Sequence, residues 1–163
     1  MESEIRILPH SEGEFLAVAG GNYRILVSGT ETSGNYAVIE MHVPPGGGPP
    51  PHAHPRMQEM FYVLEGALEF KTEAGKTLVQ EGGFVNIPMG GAVHCFRNTS
   101  GKIARMLCTV VPAGLEEVFR EIGTPVGPGE YLPPPEMTPE RIALLQKIDM
   151  AHGQKTYPRD YLG

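Results

Sequence analysis

The sequence predicts an all-β protein, and three features carry that expectation. Between Glu4 and Val111, short β-rich segments recur between clusters of Gly, Pro, Asn and Ser. The 21 glycines and 16 prolines among 163 residues suit many short strands yet stop short of low-complexity composition. With 40% hydrophobic residues the chain can fill one core, and its length fits one domain or one domain plus an arm. The expected division is a β-domain over residues 1–111 followed by helices and a Pro-rich arm over 112–163, packed on it.

Strands are expected at residues 5–8, 15–19, 24–28, 36–43, 59–64, 67–71, 77–80, 84–87, 93–98 and 102–110. The breaks between them are turn signals: Gly20-Gly21-Asn22, Ser33-Gly34-Asn35, Glu65-Gly66, Gly75, Glu81-Gly82-Gly83 and Ser100-Gly101. After Val111 the period changes. Leu115, Val118, Phe119 and Ile122 fall at i, i+3, i+4 and i+7, and Gly123 follows as C-cap, which predicts a short amphipathic helix. Residues 124–135 read as an extended Pro/Gly linker. Thr138 as N-cap and Pro139 at the next position open a second helix carrying Ile142, Leu144, Leu145 and Ile148 and ending at Gly153. Neither helix is long enough to stand alone in water, so both are expected to dock, as a lid over the β-domain or as a dimer clasp.

The formal charge of -6 gives no footprint for polyphosphate, so no nucleic-acid partner is expected. No run reaches the ~18 apolar residues that span a bilayer, and Met1-Glu2-Ser3-Glu4 has neither a basic nor an apolar leader pattern. A cytoplasmic protein without a membrane partner is the expectation. Cys95 and Cys108 are too few for a disulfide framework and are expected as reduced thiols on neighbouring strands.

Four potential ligands lie within 43 positions: His52, His54, Glu59 and His94. In an extended chain His52 and His54 project from one face. Glu59 stands five residues past His54, an odd offset that would send it to the opposite face. Pro55 supplies the break that resets the phase, so that Glu59, Phe61 and Val63 share the interior face. Met60, Tyr62 and Leu64 between them are also apolar, which predicts a strand at the centre of the molecule, buried on both faces. A buried carboxylate needs a cation or a partner, and three neutral imidazoles beside it suit one divalent transition metal: Fe, Ni, Co, Mn, Cu or Zn. His10, His42 and His152 have no partner at ligand spacing.

These residues resemble a family. Gly46-x5-His52-x-His54-x4-Glu59-x6-Gly66 is similar to the first motif of the cupins at every specified position. Gly82-x5-Pro88-x2-Gly91-x2-His94-x3-Asn98 is similar to the second, with one residue inserted after Pro88. Across roughly residues 24–157 the chain resembles bacterial single-domain quercetin 2,3-dioxygenase-like cupins. The resemblance implies a six-stranded, jelly-roll β-barrel with a short C-terminal helical arm and a metal held by His52, His54, Glu59 and His94. It also implies a double role for Glu59, as ligand and as the base that takes a substrate hydroxyl proton.

The expected cavity wall is apolar, with Phe61, Val63, Met89, Phe96 and Met106 as candidate substrate contacts. Cys95, alternating with His94, is expected to face away from the metal as a buried small hydrophobe rather than a nucleophile, and Tyr62 to face outward. Asn98 is read as orienting a turn. Arg56, Arg97 and Arg105 are the cations near the site, two of them on the outward alternation, which disfavours a nucleotide-sugar substrate. The leading expectation is a metal-dependent dioxygenase for a small aromatic or enolisable molecule. Its alternatives are a metal-dependent isomerase or lyase, for which no further acid or base is identified, and a non-catalytic small-molecule binder. A homodimer is expected from the two-sided apolar strand and the tail.

Overall fold

The structure is a computed structural model and describes residues 4–163. Twelve strands form two antiparallel sheets among these residues. The first strands are β1 (Glu14–Val18), β2 (Gly21–Val27), β3 (Ala37–Val43), β4 (His52–Ala53), β5 (Gln58–Glu65) and β6 (Ala67–Thr72). They are followed by β7 (Gly75–Gln80), β8 (Phe84–Ile87), β9 (His94–Arg97), β10 (Ala104–Val111), β11 (Thr124–Val126) and β12 (Lys155–Thr156). One sheet runs β11-β1-β2-β3-β10-β5-β8 and the other β12-β4-β9-β6-β7. The chain repeatedly crosses from one sheet to the other, the connectivity of a jelly roll, with seven and five strands rather than six in all.

Alternation decides what faces inward. In β3, Ala37, Ile39, Met41 and Val43 are buried, and in β10 Ala104, Met106, Cys108 and Val110. Beside them on β5, Phe61 meets Phe70 and Phe96 of the other sheet in a triangle of rings 5.4–5.7 Å apart. Offset and edge-on rings at this spacing are favoured by their quadrupoles and fill the space between the sheets. Gly48 is required by close approach, because a Cβ there would lie 2.0 Å from the Phe96 carbonyl oxygen.

Several expectations are corrected. Residues 5–8 form no strand: Ile5 and Ile7 are 91% and 83% exposed. Side chains tether this segment to the sheet instead of a ladder, Arg6 Nη1 donating to the Leu26 carbonyl and Arg24 to the carbonyls of Pro9 and Glu12. The first turn is Ala19-Gly20, a two-residue hairpin with φ of 49° and 88°, so Gly21 and Asn22 belong to β2. Strand β5 lies between β10 and the edge strand β8 and is buried on one face, with Tyr62 45% exposed on the other. Cys95 and Cys108 are free and buried, but β9 and β10 belong to opposite sheets and are not neighbours.

The helices are α1 (Leu115–Ile122) and α2 (Pro139–His152). Helix α1 buries Leu115, Val118 and Phe119, with the Phe119 ring edge-on to Tyr23 at 5.0 Å. In α2 the Thr138 hydroxyl accepts from the Arg141 N–H, and Gly153 is left-handed, at φ 70°. Of its expected docking residues Ile148 is buried, while Ile142 and Leu144 are 41% and 45% exposed. Residues past Val111 also supply sheet edges. Thr124–Val126, read as linker, pairs with β1 as β11, and β12 pairs with β4. No helix among the described residues is long and apolar enough to cross a membrane.

Candidate metal centre

The ligand strand β4 is short because proline and glycine surround it. Pro49, Pro50 and Pro51 precede it, and Gly46 and Gly47 exchange backbone hydrogen bonds with Asn98. Asn98 is the staple expected of it. Its Nδ2 donates to the Val43 and Lys102 carbonyls, and its Oδ1 accepts from Ser100. After His54 the chain turns through Pro55 and Arg56, with the Met57 N–H on the His54 carbonyl, and crosses to the other sheet before β5 begins. The phase reset read from Pro55 is therefore a change of sheet. The loop carrying the residue inserted after Pro88 docks there, the Gly90 N–H donating to the Pro55 carbonyl.

His52 and His94 face each other as cross-strand partners, and Glu59 meets them from the opposite sheet. One ligand atom from each of His52, His54, Glu59 and His94 lies within 4.8 Å of the others, and all four residues are buried. His94 Nε2 is 2.9 Å and His54 Nε2 3.7 Å from Glu59 Oε2. Two ligands each ~2.1 Å from one ion lie roughly 3–4 Å apart, so these separations suit a shared cation.

The protons are arranged for the same purpose. His52 Nδ1 donates to the Pro50 carbonyl and His94 Nδ1 to the Ala92 carbonyl, both at 2.9 Å. A carbonyl can only accept, so each Nδ1 carries the hydrogen and each Nε2 is left for the cluster. His54 Nε2 is buried and has no hydrogen-bond partner. Such a buried, unpaired nitrogen is costly unless a ligand takes it up. Three nitrogens and one carboxylate oxygen, with this orphan among them, form a set that can hold a metal ion.

Electrostatics agree with the geometry. Burial pushes the His52 pKa down to about 4, and the neighbouring imidazoles push the same way. Burial likewise lowers His54. Burial would raise Glu59, but the His94 hydrogen bond and the three imidazoles outweigh it and hold the carboxyl at about 2. His94 is raised, because its bond to Glu59 more than offsets its burial. A cation bound by the four would take the place of the proton that His94 and Glu59 share.

One partner of the cluster escaped sequence reading. Cys108 Sγ, inward on β10, donates to Glu59 Oε1 at 3.4 Å. Burial and the Glu59 charge keep that thiol protonated, well above its ordinary pKa. Inward alternation on β10 was the available signal, but the pairing depends on which strand lies beside β5.

Of the candidate wall residues, Phe61, Phe96 and Met106 lie in the packed core, Val63 is fully buried, and Met89 is 56% exposed on its loop. The opening beside the cluster is elsewhere. A cavity of about 180 Å³ touches His54 and is lined by Met57, Ala113, Leu115 and Val118 and by His152 and Gln154 of the arm. Tyr62 faces outward and Cys95 is buried, both as expected. Arg105 pairs with Glu40 and Glu65, Arg97 is exposed, and Arg56 lines the cavity. His42 and His152 are held by Glu40 and Glu121.

A two-sheet jelly roll with a buried three-histidine, one-glutamate cluster defines the cupin class of β-barrels. Residues 39–110 match the cupin domain, and this part of the chain is a cupin domain. It is similar to quercetin 2,3-dioxygenase of Bacillus subtilis (strain 168), 29% identical over 119 residues, 73% of this chain and 35% of that one. It is also similar to germin-like protein subfamily 2 member 2 of Arabidopsis thaliana, 40% identical over 90 residues, 53% of this chain and 40% of that one. The chain thus spans between a third and two fifths of these relatives' lengths. Among solved structures KdgF from Halomonas sp. shares the fold, with a TM-score of 0.61 at 17% identity over 70% of this chain and 99% of that one.

Proposed function

We propose that the protein is a metal-dependent cupin dioxygenase for a small aromatic or enolisable substrate, with one divalent transition metal held by His52, His54, Glu59 and His94. The observation that carries this reading is the buried cluster with the orphaned His54 Nε2 beside an opening. Similarity to a quercetin 2,3-dioxygenase supports the choice of reaction. When bound, the metal supplies a Lewis acid that stabilises an enolate oxygen and a redox centre for dioxygen chemistry.

The chain's own residues do the rest. The Pro50 and Ala92 carbonyls hold two imidazole rings in the tautomer that presents Nε2. Glu59, ionised at neutral pH, accepts the substrate's hydroxyl proton, while Cys108 fixes its Oε1 and leaves Oε2 toward the histidines. Met57, Leu115 and Val118 exclude water from the opening. A homodimer joined through the outer face of β5 and β8, where Tyr62 and Phe84 pair at 45% and 60% exposure, completes the proposal.

Elemental analysis of untagged protein, beside the His52→Ala/His54→Ala variant, tests the site. The reading expects about one equivalent of metal in the parent and little in the variant. Oxygen-electrode assays with one-ring aromatic and enolisable compounds test the reaction. A parent that holds no metal after reconstitution, or that turns substrate over at full rate without oxygen, ends the reading.

A further inference from the structure

The cavity at His54 is too small for most of what an aromatic oxygenase might take. Its volume is about 180 Å³. An apolar cavity of about 150 Å³ holds one benzene molecule, so the space beside the cluster accepts one ring or a short keto-enol chain, not the three rings of a flavonol. Beside it, sharing Arg56, His152 and Gly153, is an outer recess of about 470 Å³ lined also by Pro55, Met150 and Lys155.

Charge in these two spaces is unevenly placed. Arg56 lines both, Lys155 lines the outer one, and neither has a carboxylate partner among the described residues. The nearby acids are occupied. Glu121 pairs with His152 at 2.6 Å, and Asp149 accepts from the Thr156 hydroxyl at 2.6 Å. Glu116, in the first turn of α1, is spent on the backbone N–H groups of Gly29 and Gly114. In a chain of net charge -6, two unpaired cations thus stand beside the cavity that touches His54.

We propose that this recess binds a one-ring-sized enolisable substrate that carries a carboxylate. The enolisable end lies in the inner cavity against His54, the carboxylate rests on Arg56, and Lys155 lies behind it. The planar guanidinium matches a carboxylate with two parallel N–H donors. His152 ends α2, Gln154 follows it and Lys155 opens β12, so the C-terminal arm is part of the binding site. The reacting end rests on the metal-enzyme reading above, whereas the carboxylate contact does not.

Calorimetric titration with phenylpyruvate and phenylacetone, which share ring and ketone and differ in the carboxylate, tests the proposal. Phenylpyruvate is expected to bind about tenfold more tightly or better, since only its carboxylate can accept charged hydrogen bonds from Arg56. In Arg56→Gln that preference shrinks to about twofold and phenylacetone binding is unchanged; Arg56→Lys restores part of it, and Lys155→Gln weakens phenylpyruvate roughly threefold. Metal content stays at the parental level in all three variants. Equal binding of the two ligands by the parent, or a preference that survives Arg56→Gln, overturns the proposal. Because a 2-oxo acid can chelate, the titrations are repeated on chelator-treated protein. A preference that vanishes there places the carboxylate on the metal and also overturns it. Parent protein free of metal would end the oxygenase reading while leaving the Arg56-dependent preference to be measured.

Discussion

The two ends of the barrel interior are built by the same strands and behave in opposite ways. On β5 the inward positions are Glu59 and then Phe61, and on β9 they are His94 and then Phe96. Two residues along each strand, a charged and hydrogen-bonded cluster gives way to a packed triangle of aromatic rings. Strand geometry is shared, so the contrast comes from side-chain chemistry alone. At the aromatic end burial is itself favourable. At the histidine end burial is costly, and it is offset by carbonyls that hold the rings and by a shared proton or cation.

The contrast can be broken at either end. Phe61→Ala is expected to cost about 3–5 kcal/mol, because the ring is fully buried and its neighbours can close only part of the cavity. Metal stoichiometry should not change. Urea unfolding beside elemental analysis checks both; a variant that loses its metal while retaining stability would show that the two ends are not separable.

At the polar end the expectation concerns pH. The folded Glu59 carboxyl titrates at about 2, against 4.5 for the ordinary group. Its contribution is therefore present above about 4.5 and lost as pH falls from there toward 2, an effect of a few kcal/mol. In metal-depleted Glu59→Gln this part of the stability profile should flatten between pH 4.5 and 2. His94 has the opposite sign. Its raised pKa stabilises the fold below the ordinary value of 6.5 and is lost as pH rises through the folded value. Denaturant midpoints measured across pH for parent and variant decide it, and parallel profiles would remove Glu59 as the source.

Smaller effects sharpen the comparison. Asn98→Ala removes the donor to two carbonyls and should cost about 2 kcal/mol while loosening the loop before β4, read as faster amide exchange at Gly46. Unchanged exchange would mean that the backbone pairing with Gly46 and Gly47 suffices. Tyr62→Ser, one position from Phe61 but facing outward, should change monomer stability by about 0.5 kcal/mol and weaken self-association in sedimentation. A loss comparable to that of Phe61→Ala would contradict the inward–outward assignment.

Much of this site could be read from the chain because its parts are local. His52 and His54 share a face by the period of a strand, Pro55 announces the break before Glu59, and both helices carry their caps in sequence. Residues 5–8 misled for a related reason. Local β-propensity was present, but among the described residues no strand pairs with that segment, which is tied to the sheet by the Arg6 side chain. The cavity was misplaced because Phe61, Phe96 and Met106 are apolar and inward, which describes packed core as well as pocket wall. Only the contacts of α1 and the arm distinguish the two.

Composition, period and spacing determined the all-β class, the His52, His54 and Glu59 part of the cluster and the two helices, since each depends on residues close together in the chain. Tertiary structure decided how those parts meet. It put Glu59 in one sheet and His52 and His94 on inner strands of the other, set Cys108 against the carboxylate, and laid β12 beside β4, Thr156 opposite His52. These contacts join residues far apart in the chain. No local pattern encodes them, because they arise only when two twisted sheets close over one core and the arm finds the remaining edge.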